Sequence, residues 1–406
     1  MSATPEQPFA DRETTFERFA AHVSRGKVAT YEQYGFDAVM GRREGVRFWD
    51  AFSDRSFINC HCNGGVFNLG HRPPEVLRAV VTALESLDIG NHHLVSGFRA
   101  QLAQRLSATT DHRLSGVVFG VGGGEANDLA LKLAFAHTGR RGVVSAHGGY
   151  HGHTGLAVAT GDASYREPFH VALPGFVQVP FDDLEALDRA VDDEVAAVIL
   201  EPIPATLGMA LPSPGYLAGV QRLCRERGVV FIADEVQTGL GRTGRVWCHQ
   251  HDDLEPDVVV TGKGLSGGVY PITATLMTPE LHRFFDEHPF AHISTFGGAE
   301  PGCAAALAVL DAIERPGFLE RVAELGERFE AGLRGAPFEL RRKGLFMGLA
   351  FPFPEGGMVA AKMLFDQGIF AVYANNDRSV LQLLPPLVTS DDEAEAIIEV
   401  VRRVFG

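Results

Sequence analysis

The sequence predicts an α/β fold, with a mostly parallel central sheet in a large domain and a smaller C-terminal α/β domain. The middle of the chain holds four continuous apolar runs, at 142–147, 195–202, 228–236 and 257–263. Such runs are typical of parallel strands that are covered on both faces. Helical patterns alternate with them, as at 214–228, where basic residues precede a closing glycine. In a sheet of this kind we expect ligands at the carboxyl ends of the strands.

The pattern changes near residue 316, where Pro-Gly precedes a new helical stretch. Short strands and a final helix follow, and Ser390 and Glu393 have the spacing of a capping box at the start of that helix. We therefore expect a large domain at 56–316 and a small domain at 317–406. Residues 1–55 are expected to form an N-terminal segment that packs with the small domain.

Composition excludes several classes of protein. The net charge of −15 argues against a nucleic-acid partner. No run of eighteen apolar residues is present, so we expect no membrane span. The N-terminus lacks a basic region followed by an apolar stretch, so a secretory signal is not expected. Five scattered cysteines fit the reduced thiols of a cytoplasmic protein.

Lys263 stands at the end of a predicted strand, between two glycines, in "DVVVTGKGLSGG". A lysine in a tight apolar site has a lowered pKa and can act as a nucleophile. The alternative is a lysine in a surface loop. The apolar run before it and the glycine-rich stretch after it favour the first interpretation.

A glycine-rich loop runs into a helical pattern in "FGVGGGEANDLALKLAFAHTG" (119–139). Gly123 and Gly124 expose backbone N–H groups at the start of this helix, which suits a phosphate. The alternative is a simple tight turn.

Asp234, Val236 and Tyr150 supply three further groups. Alternate residues of a strand share a face, so Asp234 and Val236 are predicted to point the same way at a strand end. The carboxylate can contact a protonated ring nitrogen while the valine packs on the ring; a salt bridge is the alternative for Asp234. Tyr150, in "HGGYHGH", offers a flat face to a planar ligand. The histidines of that stretch, and "CHC" at 60–62, are alternative metal fragments, but we expect no metal.

A lysine, an aspartate, an aromatic ring, a valine and a phosphate loop are together the protein groups that pyridoxal 5′-phosphate requires. At this point the sequence resembles the class III aminotransferases, the family of the ornithine, acetylornithine and 4-aminobutyrate enzymes. The resemblance runs from "GVRFWDAFSDRSFINC" to "LLPPLVTSDDEAE" and is most specific in "FIADEVQTGLGRTGR", "PDVVVTGKGLSGG" and "STFGGAEPGCAAALA".

The resemblance implies a fold type I homodimer with its active sites at the subunit interface. It implies that Lys263 forms the Schiff base with the cofactor and later moves the substrate's proton, while Asp234 pairs with the ring nitrogen. It also implies an amine or amino acid donor, an oxo acceptor and ping-pong kinetics.

The resemblance assigns further cofactor contacts, which share the task of holding the ring and the phosphate: Tyr150 and Val236 on the two ring faces, Gln237 at the phenolic oxygen, Gly123 and Gly124 at the phosphate, and Thr295 at the phosphate from the partner subunit. One departure is visible. Many relatives have a hydroxyl residue where Gly124 stands, so one hydrogen bond to the phosphate is expected to be missing.

The substrate side departs further from the pattern. Relatives that use glutamate hold carboxylates with two arginines, and here His153 and Gln382 stand at those places. Thr206 stands where relatives have a glutamate that pairs with the second arginine. Glutamine is a poor substitute for a bidentate arginine, so we expect 2-oxoglutarate to be held in another way or not to be the acceptor. Arg378 is an alternative source of charge.

His92, in "NHH", is a tentative contact of the substrate, with a polar turn as the alternative. Two other functions stay open. The same cofactor also serves aminomutases, racemases and decarboxylases on this fold. "GLSGG" (264–268) matches the G-x-S-x-G pattern of serine hydrolases, but that motif requires a helix directly after the serine.

Overall fold

The computed structural model describes residues 7–90 and 93–406. The described part contains strands in three sheets: β1 (Met40–Glu44), β2 (Arg47–Asp50), β3 (Ser56–Asn59), β4 (Gly116–Gly120), β5 (Gly142–Ala146), β6 (Phe176–Val179), β7 (Val195–Leu200), β8 (Val230–Asp234), β9 (Val258–Thr261), β10 (Thr273–Met277), β11 (Glu339–Lys343), β12 (Phe346–Ala350), β13 (Ile369–Phe370), β14 (Val372–Tyr373) and β15 (Val380–Leu383).

Helices connect and cover these strands: α1 (Arg12–His22), α2 (Arg25–Tyr34), α3 (Cys62–Gly65), α4 (Pro74–Leu84), α5 (Gly97–Ala108), α6 (Gly123–Thr138), α7 (Gly155–Ala159), α8 (Ala163–Arg166), α9 (Leu184–Ala190), α10 (Tyr216–Arg227), α11 (Pro279–His282), α12 (Phe284–Glu287), α13 (Glu300–Ile313), α14 (Phe318–Leu333), α15 (Gly356–Asp366) and α16 (Asp391–Phe405). Short 3-10 helices lie at Glu167–Phe169, Cys248–Asp252 and Lys263–Ser266.

The central sheet has seven strands in the order β4-β10-β9-β8-β7-β5-β6. The four apolar runs identified in the sequence form β5, β7, β8 and β9, which pair in parallel. β10 runs antiparallel to both of its neighbours, β4 and β9. The predicted mostly parallel sheet is therefore confirmed, and the carboxyl ends of its parallel strands meet at one edge.

Both faces of this sheet are buried, which explains why its strands are apolar without interruption. On one face, Val258 and Val260 pack in the same core cluster as α6. On the other face, Val259 packs with α13, and Phe231 packs with α10. Because neighbouring residues of a strand point to opposite faces, every position of such a strand meets a helix.

The N-terminal and C-terminal parts of the chain share a second core. Val46 and Ile58 lie in one cluster with residues of α14, β12, β15 and α16, and β13 pairs in parallel with β3. This shared core includes residues on both sides of position 55, the predicted end of the N-terminal segment. The boundaries themselves stay a prediction.

The final helix begins as the sequence predicts. Ser390 and Glu393 form a reciprocal capping box at the start of α16, and Ile397 and Val401 are buried. Among the helices of residues 7–90 and 93–406, none is long and apolar enough to cross a membrane.

Candidate active site

A cavity of about 430 Å³ lies at the carboxyl ends of the parallel strands. The residues that follow β4, β5, β7, β8 and β9 all contribute to its wall, as expected for a sheet of this topology. The lining residues with polar or charged side chains are Asn127, Tyr150, His151, Glu201, Asp234, Gln237, Lys263, Ser266, Tyr270 and Thr273. Gly123, Gly124 and Val236 also line it. The sequence-predicted cofactor residues, Thr295 excepted, therefore meet in one cavity.

Lys263 lies two residues beyond β9 with φ +38°, a left-handed conformation that is uncommon for a residue with a side chain. Strained backbone of this kind often occurs at functional sites. The following glycine is required by a close approach, because a Cβ atom at Gly264 would lie 2.7 Å from Nδ2 of Asn68. Burial lowers the pKa of Lys263, although the charges of Asp234 and Glu201 oppose that shift. The amine is thus more readily deprotonated than that of a surface lysine.

Asp234 is the last residue of β8 and is buried among hydrogen-bond donors. Nδ2 of Asn127 donates to its Oδ2 at 2.8 Å, and Nδ1 of His151 lies 2.8 Å from the same oxygen. Oδ1 accepts the backbone N–H of Val236 at 3.1 Å. Burial disfavours the charged form of His151, but the hydrogen bond to Asp234 and the nearby carboxylate charges raise its pKa above the usual value.

Val236 reaches the cavity by a different route from the one predicted. β8 ends at Asp234, so Val236 lies in the turn after the strand rather than on the strand face. The carboxylate of Asp234 accepts the N–H two residues ahead, which is the geometry of an Asx turn. Both side chains still line the cavity.

Glu201, directly after β7, is a second buried carboxyl group at the cavity and was not identified from the sequence. Its Oε2 accepts the backbone N–H of Tyr150 at 2.9 Å. Burial and the charge of Asp234 raise the pKa of Glu201 to about 7, against the opposing effects of His151, the Tyr150 N–H and Lys263. Burial and neighbouring acidic groups also raise the pKa of Tyr150.

The start of α6 forms a shallow cradle beside these groups. A Cβ atom at Gly123 would lie 3.3 Å from Cγ1 of Val236, and one at Gly124 would lie 2.6 Å from Oγ1 of Thr154. Backbone N–H groups at the start of a sixteen-residue helix are therefore open to a phosphate.

Two buried oxygens on the cavity residues support a polar occupant. Oδ1 of Asn127 and Oγ1 of Thr273 are buried without a hydrogen-bond partner among the described residues. Buried polar atoms are normally satisfied, so a bound molecule with polar groups fits this wall. The residues present, a lysine, a carboxylate, a flat ring and a phosphate cradle, match the chemistry of pyridoxal phosphate.

Gln237 lines the cavity, whereas Thr295 does not. The amide of Gln237 and Cε of Lys263 both border Gly64, at 3.4 and 3.0 Å from the position of a Cβ there. Thr295 is exposed and lies outside the set of cavity-lining residues.

The tentative substrate residues are placed around the cavity rather than in its lining. His153 is exposed, and its ring packs edge-on against Tyr150 and Tyr165, at centroid distances of 5.1 and 5.3 Å. Thr206 donates to the carbonyl of Gly148 at 2.9 Å. Gln382 is buried in β15, and its Nε2 lies 3.4 Å from the carbonyl oxygen of Ala205. None of the three is among the described lining residues, so their contact with substrate stays a prediction.

Arg378 binds other protein groups outside the cavity. Its guanidinium pairs with Glu355 at 2.7 Å and hydrogen-bonds to the hydroxyl of Tyr34 at 3.2 Å, away from the cavity wall. The predicted contact His92 lies outside the described residues.

The structure also bears on the two alternatives to a cofactor site, a metal site and the nucleophile turn of a serine hydrolase. In the described ranges, no cluster of three or more histidine, cysteine or acidic side chains is placed to hold a metal ion. The hydroxyl of Ser266 donates to the carbonyl of Lys263 at 2.6 Å. In the described structure two glycines with positive φ follow it, not the helix of a hydrolase nucleophile turn.

The chain is similar to known proteins over nearly its whole length. The family model for class III aminotransferases matches residues 29–405. An uncharacterized aminotransferase of Archaeoglobus fulgidus is 51% identical, over 94% of this chain and 92% of that protein. A structure of ornithine aminotransferase from Toxoplasma gondii, with pyridoxal phosphate at partial occupancy in its active site, matches with a TM-score of 0.84 and 27% identity, over 98% of each chain.

The taurine:2-oxoglutarate aminotransferase of Bifidobacterium kashiwanohense, in complex with pyridoxal phosphate and glutamate, has the same fold, with a TM-score of 0.88 and 24% identity over 98% of each chain. The fold is that of the fold type I pyridoxal phosphate transferases, as predicted. The chain belongs to the class III aminotransferases, enzymes that use pyridoxal phosphate as their cofactor.

Proposed function

We propose that this enzyme moves an amino group from an amine or amino acid donor to an oxo acceptor by a ping-pong mechanism, with a non-standard way of recognising carboxylates. The observation that carries the proposal is the composition of the cavity wall. Lys263 is the one cationic side chain other than histidine among the described lining residues, and it faces the carboxyl groups of Asp234 and Glu201.

Each polar group of the wall has a task in this proposal. Bound pyridoxal phosphate supplies a carbonyl that condenses with amines and a ring that accepts electrons from the bond broken at the substrate's α-carbon. Asp234 would hold the proton on the ring nitrogen, and Asn127 and His151 orient Asp234 through their contacts with its carboxylate. The amine of Lys263, with its lowered pKa, takes the α-proton and returns it to another carbon.

The remaining predicted contacts hold the ring and the phosphate. Tyr150 and Val236, which line the cavity, would cover the two ring faces, and Gln237, which lies beside Lys263, would contact the phenolic oxygen. Gly123 and Gly124 present their backbone N–H groups to the phosphate at the start of α6.

The proposal for carboxylates rests on charge. No arginine is among the described residues of the cavity wall, and Arg378 is paired with Glu355. Thr206 and Gln382 are neutral and bond to backbone carbonyls. In the cavity of one subunit, a substrate with two carboxylates would meet the carboxyl groups of Asp234 and Glu201 and no arginine among the described lining residues. We therefore favour donors and acceptors that carry one carboxylate or none.

A homodimer would complete the phosphate site with Thr295 of the second subunit. Ile293 and Phe296, which stand close to Thr295 in the chain, are exposed apolar residues, as are Leu94, Val95 and Phe290, of which Val95 is 99% and Phe290 70% exposed. Exposed apolar residues of this kind are typical of protein interfaces.

The five free, buried thiols support the expected cytoplasmic location.

Initial-rate kinetics test the reaction type. With donor and acceptor both varied, the proposal predicts parallel double-reciprocal lines and one oxo product for each amine product. A racemase, aminomutase or decarboxylase would form product with no oxo acceptor present. Turnover of the donor without consumption of an acceptor would therefore refute transamination.

A further inference from the structure

The turn between β5 and α7 contains a hydroxyl group that has no role in the turn itself. Thr154 is the N-cap residue of α7, a position where threonine usually accepts an N–H of the first turn. Here, within the described residues, its side chain makes no capping bond. The N–H of Ala157, the usual partner, donates instead to Oδ1 of Asp128 at 2.7 Å. The hydroxyl of Thr154 is therefore left available for another partner.

This hydroxyl lies against the start of α6. A Cβ atom at Gly124 would lie 2.6 Å from Oγ1 of Thr154, closer than real Cβ contacts. A Cβ atom at Gly152 would lie 2.5 Å from the Cα atom of Gly124, so the backbone of the turn packs on the same glycine. Asp128, one helical turn further along α6, also holds this segment, because its Oδ1 accepts the N–H of Ala157. The absence of a side chain at Gly124 thus makes room for the hydroxyl of Thr154.

We propose that Thr154 donates a hydrogen bond from its hydroxyl to the phosphate of the cofactor. The proposal rests on the proposed phosphate position at the N–H groups of Gly123 and Gly124. A hydroxyl beside Gly124 then lies beside the phosphate, and a dianion is a strong acceptor for it. In this arrangement Thr154 provides the hydroxyl that Gly124 lacks.

The experiment compares cofactor affinity, not turnover. Apoenzyme is titrated with pyridoxal phosphate and with pyridoxal, which lacks the phosphate, for the wild type, Thr154→Val and Thr154→Ser. Thr154→Val keeps the shape and removes the donor, so we expect pyridoxal phosphate to bind about tenfold more weakly while pyridoxal is unaffected. Thr154→Ser keeps the donor and is expected to bind like the wild type.

Thr138→Val, at the opposite end of α6, is the matched control, because its hydroxyl donates to the carbonyl of Ala134 and faces no ligand. A second variant, Gly124→Ala, tests the Thr154 hydroxyl while residue 154 itself is unchanged. Gly124→Ala places a methyl group against the Thr154 hydroxyl and displaces it, so pyridoxal phosphate affinity falls. In a Thr154→Val background, Gly124→Ala is expected to lower the affinity much less, because the hydrogen bond is already absent.

The possible results distinguish the role of Thr154 from the position of the phosphate at the start of α6. If the wild type prefers pyridoxal phosphate to pyridoxal and Thr154→Val keeps the full preference, the role of Thr154 is refuted and the phosphate site stands. Equal losses for both ligands would also refute it, since they would indicate a structural defect. If the wild type itself shows no preference for the phosphorylated ligand, the proposed phosphate position at α6 fails as well.

Discussion

Nδ2 of Asn127 donates a hydrogen bond of 2.8 Å to Oδ2 of Asp234, across 107 positions of sequence. The same nitrogen also donates to the carbonyl of His151 at 2.8 Å, and the ring of His151 contacts the same carboxylate oxygen. Asn127 thus joins the first turns of α6, the turn after β5 and the end of β8. The arrangement fixes the direction in which Asp234 faces the cavity.

This arrangement makes the charge of Asp234 testable. Asp234→Asn keeps the shape of the side chain but cannot hold a proton on the ring nitrogen, so we expect kcat/KM to fall at least about a hundredfold. Asp188→Asn, at an exposed ion pair with Arg227, is the control and is expected to leave the rate unchanged. Near-normal activity of Asp234→Asn would show that another group holds that proton.

The attachment of the cofactor to Lys263 predicts a specific covalent product. Borohydride reduction of the cofactor-loaded enzyme should fix one pyridoxyl group per chain, found by peptide mass spectrometry at Lys263. Lys263→Ala should yield no such product and no transamination. Lys362→Ala, which removes a partly exposed lysine paired with Asp366, should be labelled like the wild type. Labelling at another lysine would overturn the assignment.

Glu201 predicts a pH dependence of the apoenzyme's stability. Its pKa is raised from 4.5 to about 7 in the folded state, mainly by burial. Between those pH values the folded state holds a proton that the unfolded state has released, so the contribution of Glu201 to the free energy of unfolding falls as the pH rises. His61 and His71, whose pKa values burial lowers from 6.5 to about 4, contribute in the opposite direction over much of the same range. The fall attributable to Glu201 is roughly 3 kcal/mol.

Denaturant unfolding of the apoenzyme at several pH values measures this effect. The difference in the free energy of unfolding between the wild type and Glu201→Gln isolates this contribution, because His61 and His71 are present in both proteins. We expect this difference to fall as the pH rises, most clearly below pH 6.5, because the raised pKa of His151 adds a decline of its own at higher pH. The same pH dependence in both proteins would assign the effect to other groups.

The exposed apolar residues near Thr295 predict a dimer interface, and a charged residue placed there is expected to disrupt the dimer. Ile293 is 59% exposed, close in the chain to Thr295. Ile293→Asp should shift the sedimentation coefficient from dimer to monomer and weaken cofactor binding. Val177→Asp, on the edge strand β6 at the far side of the sheet, introduces the same charge and should leave the dimer intact. A monomeric wild type would refute the proposed interface.

Local sequence patterns were enough to predict the sheet and several residues of the cavity wall. Uninterrupted apolar runs identify β5, β7, β8 and β9, and the polar residues after them must meet because parallel strands end at one edge. Lys263 and Asp234 follow from that rule. Residues such as Glu201 and Asn127 were missed, because their partners lie 51 and 107 positions away and depend on strand order.

Side-chain direction limits the prediction further. His153, Thr206 and Gln382 were chosen by their place in a family pattern, and that pattern gives a position but not an orientation. In the structure His153 packs on two tyrosine rings, and Thr206 and Gln382 turn to backbone carbonyls. These directions depend on neighbours in the folded structure, aromatic rings for His153 and backbone carbonyls for Thr206 and Gln382.

The most direct test of the proposed substrate recognition is the absorption spectrum of the cofactor-loaded enzyme during a titration with L-glutamate alone. With no arginine on the described cavity wall, we predict that the band of the lysine-bound cofactor persists at millimolar glutamate. An amine or amino acid with at most one carboxylate should convert it to the aminated form of the cofactor. Full conversion at low glutamate concentration would contradict the account and indicate a glutamate-linked aminotransferase.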